Sequence, residues 1–78
     1  MTFTIRFRPT QGTLLRVLSE ITRRGLELNY IQAHSGKGAV PGRAVIRVDE
    51  LKDKQRDQLL RAWRSTIDVE EASFEEAF

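Results

Sequence analysis

The residues best placed to do chemistry lie just ahead of a run with helical spacing, where Pro9, Thr10, Gln11, Gly12 and Thr13 follow one another. Pro9 pre-sets a turn, and Gly12 tolerates a backbone that a side chain would forbid. Thr10 or Thr13 is expected to cap the helix start. Amides at such a start donate to anions, so binding of an anion or a carboxylate is the chemistry this stretch suggests. His34 has Ser35 beside it but no carboxylate that spacing alone brings near, and reads as a loop histidine. Ser35-Gly-Lys-Gly38 lacks the preceding glycine and the Lys-Ser or Lys-Thr pair of a phosphate loop. Asp and Glu fall mainly on exposed helix positions and toward the C-terminal edge, so no acid–base pair is nominated. With no cysteine and one histidine, thiolate and polyhistidine metal sites are excluded. No catalytic residue, metal or cofactor is expected.

The elements that must hold this turn are legible from periodicity. Phe3, Ile5 and Phe7 alternate with Thr2, Thr4, Arg6 and Arg8, which predicts a first strand with one buried face. Leu14, Val17, Leu18 and Ile21 then recur at three- and four-residue steps and predict an amphipathic helix. Arg23 and Arg24 favour its negative end, and Gly25 suits the left-handed residue that closes it. Leu26 to Ala33 predicts a partly polar edge strand with Leu26, Leu28 and Tyr30 on one side. The glycine-rich stretch His34 to Gly42 predicts a long hairpin loop, and Arg43 to Val48 a third strand. Asp49 is a candidate cap for a second helix from Leu51, on which Leu59, Leu60, Trp63 and Ile67 keep helical spacing, with Trp63 in the core. A fourth strand is expected from Ile67 to Phe78, with a bulge or a late start at Glu70-Glu71 where alternation breaks.

Strand, helix, strand, strand, helix, strand with two right-handed crossovers predicts a ferredoxin-like α+β sandwich. Its antiparallel sheet should run four, one, three, two, with both helices on one face. The chain is read as one domain, 1–78. At 78 residues a single core is only just sufficient, so self-association is expected. The other face of the sheet would carry Thr4, Arg6 and Arg8, then Arg43, Val45 and Arg47, flanked by Glu27, Asn29 and Ile31 on one edge and Glu71, Ser73 and Glu75 on the other. Cross-strand charge pairs account for this arrangement. RNA-binding sheets of this topology stack bases on exposed rings of the central strands. Since this reading puts no ring on that face, and the net charge is only +2, nucleic acid is not an expected partner. No run approaches the roughly 20 apolar residues of a membrane helix. The start, Met-Thr-Phe-Thr-Ile-Arg6, lacks the basic-then-apolar order of a signal peptide, so a cytoplasmic location is expected.

Two resemblances bear on function. Gln11-Gly12-Thr13-Leu14-Leu15-Arg16 resembles the Gln-Gly-x-x-x-Arg of acylphosphatases, in which the arginine holds phosphate and an asparagine, here Asn29, positions water. Only three positions of that motif are fixed, and its flanking residues differ.

Thr13-Leu14-x-Arg16-Val17-Leu18, the Arg24-Gly25 helix end and the strand Leu26-Glu-Leu-Asn-Tyr-Ile31 together resemble an ACT domain. More narrowly they are similar to the short, one-domain regulatory small subunit of acetolactate synthase (acetohydroxyacid synthase). The resemblance implies a non-catalytic module of branched-chain amino-acid biosynthesis. It implies a homodimer paired through the edge strand and the first helix. A small effector, often an amino acid, would lie between the first loop of one subunit and the second strand of the other. Carried over by position, the effector residues are Gln11, Gly12, Thr13 and Leu14 with Glu27, Asn29 and Ile31, and Gly12 matches the family's turn glycine. Thiamine diphosphate chemistry would belong to a catalytic partner subunit. Pro9 and Glu27 stand where valine-sensing members commonly place asparagines, so valine is not singled out as the effector. A free-standing ACT-like metabolite sensor is the alternative.

Overall fold

The computed structural model describes residues 1–49 and 51–75. The elements follow as β1 (Thr2–Phe7), α1 (Thr13–Arg23), β2 (Leu28–His34), β3 (Gly42–Val48), α2 (Asp53–Arg64) and β4 (Val69–Glu75). The four strands form one antiparallel sheet in the order β2-β3-β1-β4, the ferredoxin-like arrangement expected from the alternation.

The layers follow from which residues share a face. Phe3 lies opposite Ile46 and Ile5 opposite Ala44, so the alternating apolar residues of β1 and β3 point the same way. Onto them α1 lays Val17 and Ile21, and α2 lays Leu59, Leu60 and Trp63. Trp63 is fully buried. Its ring meets the Phe3 ring edge-on at 5.1 Å, and its Nε1 donates to the Val17 carbonyl at 2.9 Å. At the other end of β1 the Phe7 ring lies against the backbone of Gly42. A Cβ on Gly42 would stand 2.1 Å from that ring, which is why β3 begins with glycine.

α1 closes as its Arg-Gly ending implied. Gly25 takes a φ of 67°, its amide donates to Thr22 O at 3.0 Å, and the Leu26 amide donates to Ile21 O at 3.2 Å. Its start departs from expectation. The residue at the cap is Gly12, with a φ of 84° and no side-chain cap. The two threonines bond each other instead, because Thr13 is drawn wholly into the core. At α2 the cap is Lys52, not Asp49, and the Gln55 side chain accepts the Lys52 amide at 3.0 Å. Ile67 is exposed in the turn after α2 and belongs to neither the helix nor the strand, because the helix ends at Arg64 and Asp68 turns left-handed with a φ of 70°. The expected Glu70-Glu71 irregularity is present: Arg6 faces Glu71 and Phe7 faces Val69, so Glu70 is the extra residue. The expected strand residues 76–78 lie outside the described residues.

The second strand is the main correction. Leu28 faces Val48 but Tyr30 faces Arg47, so a bulge at Asn29 reverses which residues lie on which side. Ile31 shares the helix side of the sheet with Ile46. Tyr30 turns to the open face beside Arg47, the opposite of the expected placement. No helix among the described residues is long and apolar enough to cross a membrane.

Because Trp63 joins both helices to the sheet, its truncation is expected to dominate stability. Trp63→Ala should cost about 3–5 kcal/mol, a large share of what a domain this small possesses. Trp63→Phe loses the bond to Val17 and part of the ring, and should cost about 1–3 kcal/mol. Urea unfolding followed by circular dichroism measures both.

Candidate functional site

The turn between β1 and α1 forms one wall of an open basin of about 310 Å³. Pro9 to Gly12 with Leu14 and Leu15 make this wall, and Ser35 and Gly36 of the β2–β3 hairpin make the other. The hairpin reaches this position because Gly36, with a φ of 76°, folds its loop so tightly that a Cβ would stand 2.4 Å from Val40 O. Lys37 and Val40 close it with reciprocal backbone bonds of 3.0 and 2.9 Å.

Under the turn lies a polar relay. Thr10 Oγ1 donates to Asp68 Oδ2 at 2.9 Å, so the Thr13 hydroxyl supplies the proton of the bond between the two threonines. The Arg8 amide donates to Asp68 O at 2.8 Å, which fixes the same turn to the loop before β4. The Thr13 amide donates to Thr10 O at 3.4 Å. Those of Leu14 and Leu15 start the helix with no intrahelical acceptor. The guanidinium of Arg16 folds back over Gly12, its Nη2 being 3.9 Å from where a Cβ would stand. The basin therefore has an apolar floor at Leu14 and Leu15, open amides and a nearby cation, a combination suited to a small carboxylate with an apolar tail.

The structure brings together Gln11, Gly12 and Leu14 of the expected effector residues. Thr13 is buried beneath them and serves the turn rather than a ligand. Glu27 and Asn29 lie at the opposite end of the same protomer's sheet. The register between Phe7↔Gly42 and Thr2↔Arg47 spans five residues, roughly 17 Å. The Asn29 side chain there donates through Nδ2 to Asp49 Oδ2 at 2.8 Å. Asn29 and Arg16 thus stand too far apart to share one phosphate as an acylphosphatase pair would. Ile31 is mid-strand, and the bulge turns it to the helix side. Sequence reasoning missed Leu15, Ser35, Gly36 and Asp68; the hairpin glycines marked a turn, but nothing in their spacing showed that it folds back toward Gly12.

The two edges of the sheet differ. On β4, Arg64 Nε and Nη2 donate to the Ala72 carbonyl at 3.1 and 2.9 Å, so the edge is partly capped by α2. On β2, all seven residues are exposed, and Leu28 and Ile31 present apolar surface on the helix side. Leu15, 70% exposed, lies beside the end of that strand at the basin.

Fold and edge define a ferredoxin-like domain with one free strand and a basin at its first turn. No family model and no curated protein matches the sequence. Among solved structures, GqqA, described as a novel type of quorum-quenching acylase, is similar with a TM-score of 0.61 and 15% identity. The similarity covers 92% of this chain and 37% of that one, and what it establishes is the shared fold.

The Asp68 relay is open to test. Asp68→Asn keeps an acceptor and tolerates a left-handed backbone, and is expected to stay within about 0.5 kcal/mol of the native protein. Asp68→Ala loses the acceptor for Thr10 and places a methyl group at positive φ, and should cost about 1–3 kcal/mol. Thermal denaturation of the two variants reads the difference.

Proposed function

We propose that this chain is a non-catalytic ACT-type regulatory module that pairs through β2 and α1 and holds a small amino-acid effector at the junction. The observation that carries the reading is the free β2 edge, exposed at every residue and bordered by Leu28, Ile31 and Leu15. A strand edge of this kind offers unpaired donors and acceptors to a second strand. Antiparallel pairing of two β2 strands brings the start of one beside the end of the other. Glu27 and Asn29 of one protomer then approach the Gly12 basin of its partner, which resolves their separation within one chain. The basin amides and Arg16 suit the carboxylate of the effector, Leu14 and Leu15 its apolar side chain, and Glu27 of the partner its ammonium group.

Within this class, the sequence resemblance supports the regulatory small subunit of acetolactate synthase, with branched-chain amino acids as effectors and the thiamine diphosphate chemistry on a catalytic partner. A free-standing sensor of the same build is the second reading, since the basin residues Gly12, Leu14 and Ser35 all belong to this chain. Co-purification with a larger synthase subunit separates the two.

Sedimentation at tens of micromolar is expected to show a dimer. Ile31→Lys and Leu28→Lys, both at exposed positions, should give folded monomers with unchanged circular dichroism. A strictly monomeric native protein refutes the pairing. A branched-chain amino acid at about 100 times its dissociation constant adds roughly 2.7 kcal/mol, and should raise the melting midpoint by on the order of 10 °C. Gly12→Val should abolish that rise.

A further inference from the structure

The bulge at Asn29 changes what the open face of the sheet offers. With Tyr30 opposite Arg47, Gln32 opposite Val45 and His34 opposite Arg43, β2 contributes two rings to a face that has no helix over it. Each ring stands beside an arginine of β3. Arg47 lies over the Tyr30 ring with its guanidinium carbon 5.4 Å from the centroid, and the Tyr30 hydroxyl donates to Gln32 Oε1 at 3.2 Å. His34, Gln32 and Arg43 line an open depression of about 530 Å³ on this face.

Charge on the face is divided. On the β4 side Arg6 is neutralised by Glu71 at 3.1 Å and Glu70 at 3.9 Å, and Glu75 stands in the same edge strand. On the β2–β3 side Arg43 and Arg47 have no carboxylate within ion-pair range among the described residues. A polyanion is therefore drawn to the β2–β3 half and repelled from β4. Tyr30 and His34 are four residues apart on one strand, roughly 13 Å. The amide of Gln32 lies between them, able to donate to and accept from a base edge.

The geometry points to single-stranded nucleic acid, RNA or DNA, as the ligand of this face. The strand runs along β2, with two of its bases stacked on Tyr30 and His34 and its phosphates toward Arg47 and Arg43. Stacking on aromatic rings beside a cationic groove is how unpaired strands are held without strict sequence preference. A duplex hides its base faces and gains only the charge term. This surface is separate from the Gly12 basin and does not depend on dimerisation. Pairing at the β2 edge leaves it open and sets two such ridges side by side.

The test is fluorescence anisotropy of the full chain with labelled uridine RNA and thymidine DNA of about a dozen nucleotides, in about 50 mM salt. Duplex DNA of the same length is the competitor. Both single strands are expected to bind more tightly than duplex. Tyr30→Ala and His34→Ala should each weaken binding at least about fivefold. Arg43→Gln and Arg47→Gln should each reduce the slope of log affinity against log salt by about 0.7. Lys54→Gln, an exposed cation on α2, should leave binding unchanged. Circular dichroism confirms that each variant folds. The proposal is overturned if no oligonucleotide binds at low salt, if duplex binds as tightly as single strands, if Tyr30→Ala binds like the native protein, or if Lys54→Gln weakens binding as much as Arg43→Gln.

Discussion

The indole of Trp63 reaches from α2 across the core to the Val17 carbonyl of α1, while its ring packs edge-on against Phe3 of the central strand. One side chain thereby fixes three elements. The position of α1 on the sheet sets where its first turn emerges, and that turn, with Gly12 left-handed, forms the basin wall. A bond from one side chain to the carbonyl of another helix is worth only about 1 kcal/mol. Its importance is directional: it selects one packing of α1 from the many that apolar burial alone would permit.

Two helices of 11 and 12 residues cannot shield a four-stranded sheet evenly. The core of this fold is gathered under β1 and β3, with Ala72 of β4, and β2 is left outside it. The uncovered edge is the source of both the apolar margin at Leu28 and Ile31 and the free ladder groups of β2. The opposite edge is treated differently, since Arg64 covers the Ala72 carbonyl and acidic side chains crowd β4. An asymmetry of this kind leaves one edge more open to a partner strand than the other and discourages indefinite strand-to-strand growth.

Where an apolar period met burial, the sequence was largely enough, the exceptions being Thr13, buried although expected as a cap, and Ile67, exposed although it keeps the helical spacing. Phe3, Ile5 and Phe7, the stripe through Val17 and Ile21, the Gly25 helix end and the irregularity at Glu70 all follow from period and from residue chemistry, and the topology followed from them. Where no burial decided it, the reading failed. Every residue of β2 is exposed, so no alternation of buried and exposed positions marks its register, and the extra residue at Asn29 left no trace in the pattern. The same holds for the candidate site. Gln11, Gly12 and Leu14 were legible from the turn and the helix start, whereas Ser35 and Gly36 join them through the path of a loop, and Asp68 through a bond across 58 residues.

The bulge also has a consequence for how far a sheet of this type can be read by analogy. A strand side chain changes face with each residue, so one inserted residue exchanges the two faces for everything on one side of it. Here the exchange moves Ile31 from the wet face to the apolar margin and moves Tyr30 from the margin to the wet face beside Arg47. Each move makes its surface more consistent: the margin becomes apolar, and the open face gains rings beside its arginines. The bond from Asn29 to Asp49, at the point where the ladder is interrupted, holds the bulge in place. A polar residue whose side chain has a partner beyond the ladder can occupy the unpaired position at little cost, and that identifies Asn29 as the residue through which β2 acquires two differently suited faces.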